Sequence, residues 1–253
     1  DPLSEPTETF VSSSTIQFSS TGGESHLDLI AEGVYAADLD GTPLDPAAFS
    51  HNRFPFTAEP GTHEITVTAL CRYSHSGEGL HRFVDPADGK VYLYTQFEIA
   101  DARRMYANFE QPDQKMTFEL QVIAPTDWVI VSNSPTPEPT DDPREGMSRW
   151  SFEPTLPIST YLTALIAGEY HVDHGTIHTA SGEIDANILC RQSMKEYLDV
   201  DRIRTTTQRG FEVYEAEFGY PYPFDKYTQS FVPEFNAGAM ENVACVTHRD
   251  DLL

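Results

Sequence analysis

The stretch from Glu64 to Tyr73, with the sequence EITVTALCRY, decides the fold because an apolar side chain stands at every second position. Successive side chains of a strand point to opposite faces of the sheet, so this period of two predicts a strand with one buried face. The residues expected on that face are Ile65, Val67, Ala69, Cys71 and Tyr73.

Shorter runs of the same kind lie on both sides of this stretch. Residues 10–18 are rich in Ser, Thr, Val and Ile, and we expect this strand to end at Thr21-Gly22-Gly23. Further apolar runs occupy residues 117–123, 128–131 and 161–167. Because Gly, Pro or Asp bounds these runs, they predict an all-β sandwich and not a series of βαβ units.

Residues 91–99 predict another strand, whose two faces differ in polarity. The apolar face carries Val91, Leu93, Phe97 and Ile99, and the other carries Tyr92, Tyr94, Gln96 and Glu98. On the pattern alone, the second face is interpreted as a solvated sheet surface.

The character of the sequence changes near His171. Residues 177–189 predict a hairpin, and Ser193 to Glu196 has the S-x-x-E form of a helix-capping box. Helical spacing then follows, and Gly219 and Pro221 are expected to end the helix. The residues of this helical stripe are Ile203, Thr207, Phe211, Tyr214 and Phe218. We therefore expect a β-sandwich domain over residues 1–170 and, over residues 171–253, the start of an α/β domain that the chain does not complete.

The composition excludes several classes of partner. The 253 residues include 16 Lys and Arg against 40 Asp and Glu, which gives a net charge of −24 and disfavours both nucleic acid and anionic lipid. No run approaches the ~18 apolar residues of a membrane helix, so we expect no membrane association. The three cysteines, Cys71, Cys190 and Cys245, are far apart, which predicts buried thiols in a reducing, cytoplasmic compartment.

Local catalytic motifs are missing from the sequence. It contains no serine-nucleophile elbow, no nucleotide-binding glycine loop and no H-E-x-x-H. His171, His174 and His178 have spacings of three and four, but Gly175 disfavours a helix, and on a strand the first two would point to opposite faces. We interpret them as surface histidines and expect no metal site and no catalytic residue within this chain.

The loop from Phe235 to Asn242, FNAGAMEN, is the sharpest candidate for a binding site. Its small residues leave backbone N–H and C=O groups accessible, so an extended ligand can pair along it as an added strand. The loop also ends with a carboxylate, Glu241, although the pentapeptide alone is equally compatible with an ordinary β-loop.

Several motifs together resemble one family. Gly238-Ala239-Met240-Glu241-Asn242 resembles the GAMEN exopeptidase motif of the M1 (gluzincin) zinc aminopeptidases. YTQFE at 94–98, DARR at 101–104 and FEQP at 109–112 resemble the stretch that precedes this family's DEP turn. LHRF at 80–83 and SNSP at 132–135 resemble the actinobacterial aminopeptidase N branch. Several motifs in the family's order are far more specific than one pentapeptide.

The resemblance implies a saddle-like β-sandwich N-terminal domain, with its first strand missing before Phe10, followed by the incomplete start of a thermolysin-like catalytic domain. It implies that Glu98 and Glu241 bind the free α-amine of a peptide substrate, and that the other motif residues, Gly238, Ala239, Met240 and Asn242, line the substrate. It also implies a Zn²⁺ cofactor in the full-length enzyme. Its H-E-x-x-H ligands would lie C-terminal to this chain, which is then inactive without the remaining catalytic and C-terminal domains.

Two alternatives stay open at this point. The chain is also compatible with a non-catalytic β-sandwich binding or scaffold module, although residues 219–247 begin a domain that such a module would not need. An epoxide hydrolase of the leukotriene A4 hydrolase branch is the second, but Ala239 and Glu98 depart from the Gly and Gln that tend to occur there.

Overall fold

The structure is a computed structural model that describes residues 8–253. Its contacts divide the chain into two compact units, each assembled from separate segments. Of the described residues, the first unit holds 8–81, 96–115 and 159–161, and the second holds 82–95, 116–158 and 162–253. The domain boundary expected near residue 170 stays a prediction, and the strand expected to be missing before Phe10 lies outside the described residues.

The first unit is built on one antiparallel sheet of four strands in the order β1-β4-β2-β3. These strands are β1 (Thr9–Asp28), β2 (Gly33–Leu39), β3 (Thr42–Leu44) and β4 (Arg53–Arg72). The alternation that predicted β4 is confirmed, because its four apolar positions from Ile65 to Cys71 are at most 1% exposed. The face they form packs with Leu27, Leu29, Phe54 and Phe56 into the core of this unit.

Strand β1 does not end at its glycines, contrary to the sequence-based expectation. Gly22 and Gly23 adopt φ angles of 94° and 116°, and the pairing with β4 resumes at Gly23 opposite Ala58 in the same register. Glycine tolerates this backbone region, so the ladder continues through it to Asp28.

The second unit holds the remaining strands, apart from residues 79–81 and Gln96, and the one α-helix of the described chain. These elements are β5 (Gly79–Val84), β6 (Val91–Gln96), β7 (Gln121–Pro125), β8 (Val129–Ser132), β9 (Thr140–Asp141), β10 (Met147–Ser151), β11 (Leu165–Gly168), β12 (His171–Asp173), β13 (Thr176–Thr179), β14 (Gly182–Asp185), β15 (Ile188–Cys190), α1 (Val200–Phe218), β16 (Thr228–Val232), β17 (Ala239–Met240) and β18 (Cys245–Arg249). They form sheets in the orders β5-β6-β11-β8, β7-β10-β9, β13-β14 and β12-β15-β16-β18-β17. The fold is therefore mainly β, as predicted.

Strand β6 departs from its predicted surroundings. It ends at Gln96, and Tyr92, Tyr94 and Gln96 are at most 5% exposed, so the polar face is buried and not solvated. The reason is what packs on this face, because the ring of Tyr170 lies edge-to-face on Tyr92 at 4.9 Å and that of Phe235 on Tyr94 at 5.6 Å. A tyrosine ring can be buried where its hydroxyl has a partner, and the Tyr92 hydroxyl accepts a hydrogen bond from the Gln192 backbone N–H at 3.0 Å.

Helix α1 confirms the predicted helix, although Tyr214 and Phe218 of its stripe are 63% and 76% exposed. Its first turn is capped by the Asp199 side chain, which accepts from the Arg202 N–H, and Gly219 ends it with a left-handed φ of 60°. The capping box at Ser193 is wrong: residues 192–197 form a 3₁₀ helix, and the Ser193 hydroxyl donates instead to Asp85. Within residues 8–253, no helix is long and apolar enough to cross a membrane.

Candidate functional site

The candidate binding loop connects β16 to β18 and contains the short strand β17. In the five-stranded sheet β17 is the last strand, paired antiparallel with β18 through Ala239 opposite His248 and Met240 opposite Thr247. Strands β15, β16 and β18 run parallel in the middle of this sheet. Because β17 has a strand partner on one side only among the described residues, its outer edge has the geometry that accepts an added strand.

Side chains along this loop alternate between solvent and the interior. Gly238, Ala239 and Glu241 are exposed, whereas Met240 and Asn242 are each 1% exposed. The buried pair fastens the strand to the sheet, and the Asn242 amide lies 3.5 Å from the Thr247 hydroxyl. The buried Met240 and Asn242 thus hold the strand in place, and the exposed residues of the motif face solvent.

The Glu241 carboxylate makes no hydrogen bond or ion pair with any residue from 8 to 253. Such a carboxylate, exposed at the end of an edge strand, is placed to accept hydrogen bonds from a cationic ligand. Gly238 has open space where a Cβ would stand, so its backbone can be approached closely. The loop therefore combines an accessible backbone with one uncommitted negative charge.

The sequence pattern predicted that Glu98 lies on strand β6. It lies instead in the turn that follows this strand. Its side chain is exposed, and within the described part of the chain its carboxylate has no hydrogen-bond or ion-pair partner. Glu98 belongs to the first compact unit and Glu241 to the second. Their joint role in binding one amine stays a prediction.

An aromatic contact holds the start of the loop. The ring of Phe235 packs edge-to-face on that of Tyr94, with centroids 5.6 Å apart, and both side chains are at most 6% exposed. Burial raises the pKa of the Tyr94 hydroxyl well above its ordinary value. Tyr94 thus remains neutral and contributes packing at physiological pH, a role that its position on the supposedly solvated face of β6 did not suggest.

Two buried polar side chains hold the end of the loop, and sequence reasoning missed both roles. The Asn133 amide donates to the Val243 carbonyl at 2.7 Å, and the Lys226 ammonium donates to the Ala244 carbonyl at 2.7 Å. The available signals were slight. Asn133 appeared only within the SNSP motif, and Lys226 is a single cation within the aromatic stretch YPYPFDKY.

A buried ion-pair network fixes the end of β18. Arg191 donates through Nη1 to Asp85 and through Nε to Asp250, each at 2.7 Å, and Ser193 also donates to Asp85. Burial alone would raise the pKa of Asp85, but the hydrogen bonds from Ser193, the Ala87 backbone and Arg191 lower it below its usual value. Burial raises the pKa of Asp250, and Arg191 opposes that rise.

The histidine cluster does not assemble into a metal site. Across the described residues, no group of three or more His, Cys, Asp or Glu side chains is arranged to hold a metal ion. His171 lies on β12 and His178 on β13, which belong to different sheets. The side chains of residues 8–253 therefore do not fit a catalytic zinc.

Comparison with known proteins gives matches along most of the chain. The peptidase M1 N-terminal domain matches residues 48–162, and the peptidase family M1 domain matches residues 204–253. The chain is 49% identical over 246 residues to aminopeptidase N of Streptomyces lividans, which covers 96% of this chain and 28% of that protein. It is 31% identical to aminopeptidase N of Acetobacter pasteurianus over 84% of this chain and 59% of that protein. Bovine aminopeptidase N is 32% identical over 76% of this chain and 20% of the bovine protein.

The chain spans only 28% of the Streptomyces relative and 59% of the Acetobacter one. Two different parts of one peptidase family, its N-terminal domain and its M1 domain, match in order along the sequence. The chain therefore belongs to the peptidase M1 family.

Proposed function

We propose that the full-length protein is a zinc metallo-aminopeptidase that removes amino acids from the N-termini of peptides, and that this chain supplies the part that anchors the substrate N-terminus. The relatives named aminopeptidase N support the activity. The observation that carries the role of this chain is the exposed, unpaired carboxylate of Glu241 at the end of the edge strand β17.

Peptide binding starts at the edge of the sheet. The Gly238 carbonyl accepts from the Arg249 N–H at 3.1 Å, so an extended substrate pairs with the outer edge of the strand at Ala239 and passes close to Gly238, and its N-terminus reaches Glu241. Met240 and Asn242 act from the interior, where their burial keeps the strand in place. This arrangement uses the whole motif, with its exposed members contacting substrate and its buried members supporting them.

Recognition of the free α-amine is the property that makes the reaction an exopeptidase reaction. A charge-assisted hydrogen bond contributes about 1.5–3 kcal/mol, so Glu241 and Glu98 on one ammonium would contribute about 3–6 kcal/mol. At about 1.4 kcal/mol per factor of ten, this corresponds to a preference of roughly 10²–10⁴ for a free over a blocked N-terminus.

Zinc belongs to the rest of the protein in this proposal. When bound there, a Zn²⁺ ion would supply Lewis-acid chemistry. Residues 8–253 offer no ligand set for it. We place the metal in the part of the M1 domain outside this chain, and the chain by itself is then inactive.

A cytoplasmic location completes the proposal. Cys71, Cys190 and Cys245 are all buried as free thiols, which suits a reducing compartment. The net charge of −24 favours peptides with a cationic N-terminus as partners over nucleic acid.

The test compares Glu241→Gln with the wild-type full-length protein on an aminoacyl arylamide. We expect kcat/KM to fall about tenfold to a hundredfold, because one charge-assisted hydrogen bond to the ammonium is lost. The matched control is Glu217→Gln, which changes an exposed glutamate of α1 and should alter kcat/KM less than about twofold. Equal activity of Glu241→Gln and wild type would contradict the anchoring role.

The same assay tests Glu98 through a double-mutant cycle. If both carboxylates bind one ammonium, the effects of Glu98→Gln and Glu241→Gln on kcat/KM are not additive. Strict additivity would assign the two glutamates to separate tasks.

A further inference from the structure

The backbone that follows Glu241 takes an unusual path. Ala244 has a φ of 56°, a region in which L-residues other than Asn, Asp and Gly are uncommon, and the Cys245 N–H donates to the Asn242 carbonyl at 3.1 Å to close the turn. Ala244 is 3% exposed. A buried backbone carbonyl needs a hydrogen-bond partner, so something must satisfy the carbonyls of this turn.

Lys226 gives one of them a second donor, at a considerable energetic cost. Its side chain is 5% exposed, and its ammonium donates to the Ala244 carbonyl at 2.7 Å and to the Thr228 hydroxyl at 3.2 Å. The Thr228 N–H donates to the same Ala244 carbonyl at 3.0 Å. Among residues 8–253 no carboxylate pairs with Lys226, and burial lowers its pKa to about 8. A buried ammonium without a carboxylate is unfavourable, so this lysine stabilises the turn at the expense of its own solvation.

Asn133 satisfies the neighbouring carbonyl. Its amide donates to the carbonyls of Val243 at 2.7 Å and Leu162 at 2.9 Å, and its oxygen accepts from the Ala164 N–H at 2.8 Å. The side chain is 7% exposed. One asparagine therefore ties the turn after Glu241 to the segment that leads into β11.

From these contacts we propose that Lys226 and Asn133 are positioning residues for Glu241, fixing two consecutive carbonyls so that the exposed carboxylate is held where it can bind the substrate amine. The inference rests on the proposed function. Glu241 lies two residues before Val243 and has no partner of its own among the described residues, so its direction depends on the backbone. Recognition by hydrogen bonds tolerates displacements of about half an ångström, which makes a fixed turn necessary.

The test is a double-mutant cycle in the full-length protein between Lys226→Met and Glu241→Gln. Methionine keeps most of the apolar volume of lysine and removes its donor. We expect Lys226→Met to raise KM for an aminoacyl arylamide about tenfold with a smaller change in kcat, and to have less than about a twofold effect in the Glu241→Gln background. A role in general stability alone would lower activity equally in both backgrounds and would overturn the proposal, as would unchanged kinetics.

Controls separate the possible outcomes. Lys115→Met removes an exposed lysine and should leave both backgrounds unchanged. If Lys226→Met does not fold, Asn133→Ala enters the same cycle, with the same expected and contradictory results. A Glu241→Gln variant with wild-type kinetics would overturn the proposed function and this inference together. If Glu241→Gln is impaired but Lys226→Met has the same effect in the wild-type and Glu241→Gln backgrounds, only this inference is overturned.

Discussion

The sheet of β1 to β4 and the turn after β17 are held by different kinds of interaction. The sheet depends on a continuous apolar face, in which Ile65, Val67, Ala69 and Cys71 share the burial, and on a ladder of nineteen paired positions between β1 and β4. The turn depends on single contacts from Lys226 and Asn133. A face built from many small contributions tolerates the loss of one member, whereas a turn held by a few polar contacts is more sensitive to the loss of one.

The ion-pair network of Arg191 also depends on a few polar contacts, and it should show the contrast with the apolar sheet most strongly. Arg191→Met would leave the carboxylates of Asp85 and Asp250 buried without their cation, and their side chains are only 2% and 12% exposed. We expect a loss of about 3–5 kcal/mol in the free energy of unfolding, measured by chemical denaturation.

The matched change in the first unit is Ile65→Val, which removes one methylene from a fully buried position. It should cost about 0.5–1.5 kcal/mol, because the remaining apolar face persists. The comparison fails if the two substitutions cost the same.

Lys226 should make the free energy of unfolding depend on pH. Its pKa is lowered from 10.5 to about 8 by burial, so between these values the unfolded chain binds more protons than the folded one. Stability then rises with pH over this window, by up to about 1.4 kcal/mol per pH unit. Cys245 opposes the shift slightly and does not reverse it.

Denaturation of wild type and Lys226→Met at pH 7.5, 8.5 and 9.5 measures this contribution. The difference in unfolding free energy between the two proteins should change by roughly 1–2 kcal/mol in favour of the wild type as the pH rises. A difference that is constant with pH would mean that the Lys226 ammonium is solvated in the folded protein.

Sequence reasoning succeeded where one element's own pattern settles its structure. The alternation in β4, the helix that follows Asp199 and its end at Gly219 are local properties, and each is confirmed. Tyr92 and Tyr94 were misassigned because the rings of Tyr170 and Phe235 pack on them, and no local pattern reveals these contacts.

In the candidate site, too, some residues could be predicted from the sequence and others could not. The motif from Gly238 to Asn242 is contiguous and visible in the sequence, as is the carboxylate of Glu241. Asn133 acts on Val243 across 110 positions, and Lys226 acts on Ala244 across 18. Long-range polar contacts of this kind have no sequence period, so only the folded chain shows them.

Two glycines give the finest test, because one serves the fold and the other serves the site. Gly238 has no positive φ and nothing within 4 Å of a Cβ placed on it, so Gly238→Ala should change the unfolding free energy by less than about 0.5 kcal/mol. The added methyl would nevertheless stand on exposed backbone that the proposed substrate approaches, and KM for a peptide should rise several-fold. Gly22→Ala is the mirror-image control: it has a φ of 94° and a Cβ contact at 2.9 Å with Pro60, so it should cost about 1 kcal/mol or more and leave KM unchanged. If Gly238→Ala lowers stability as much as Gly22→Ala and leaves KM unaltered, then the edge of β17 serves the fold and the peptide binds elsewhere.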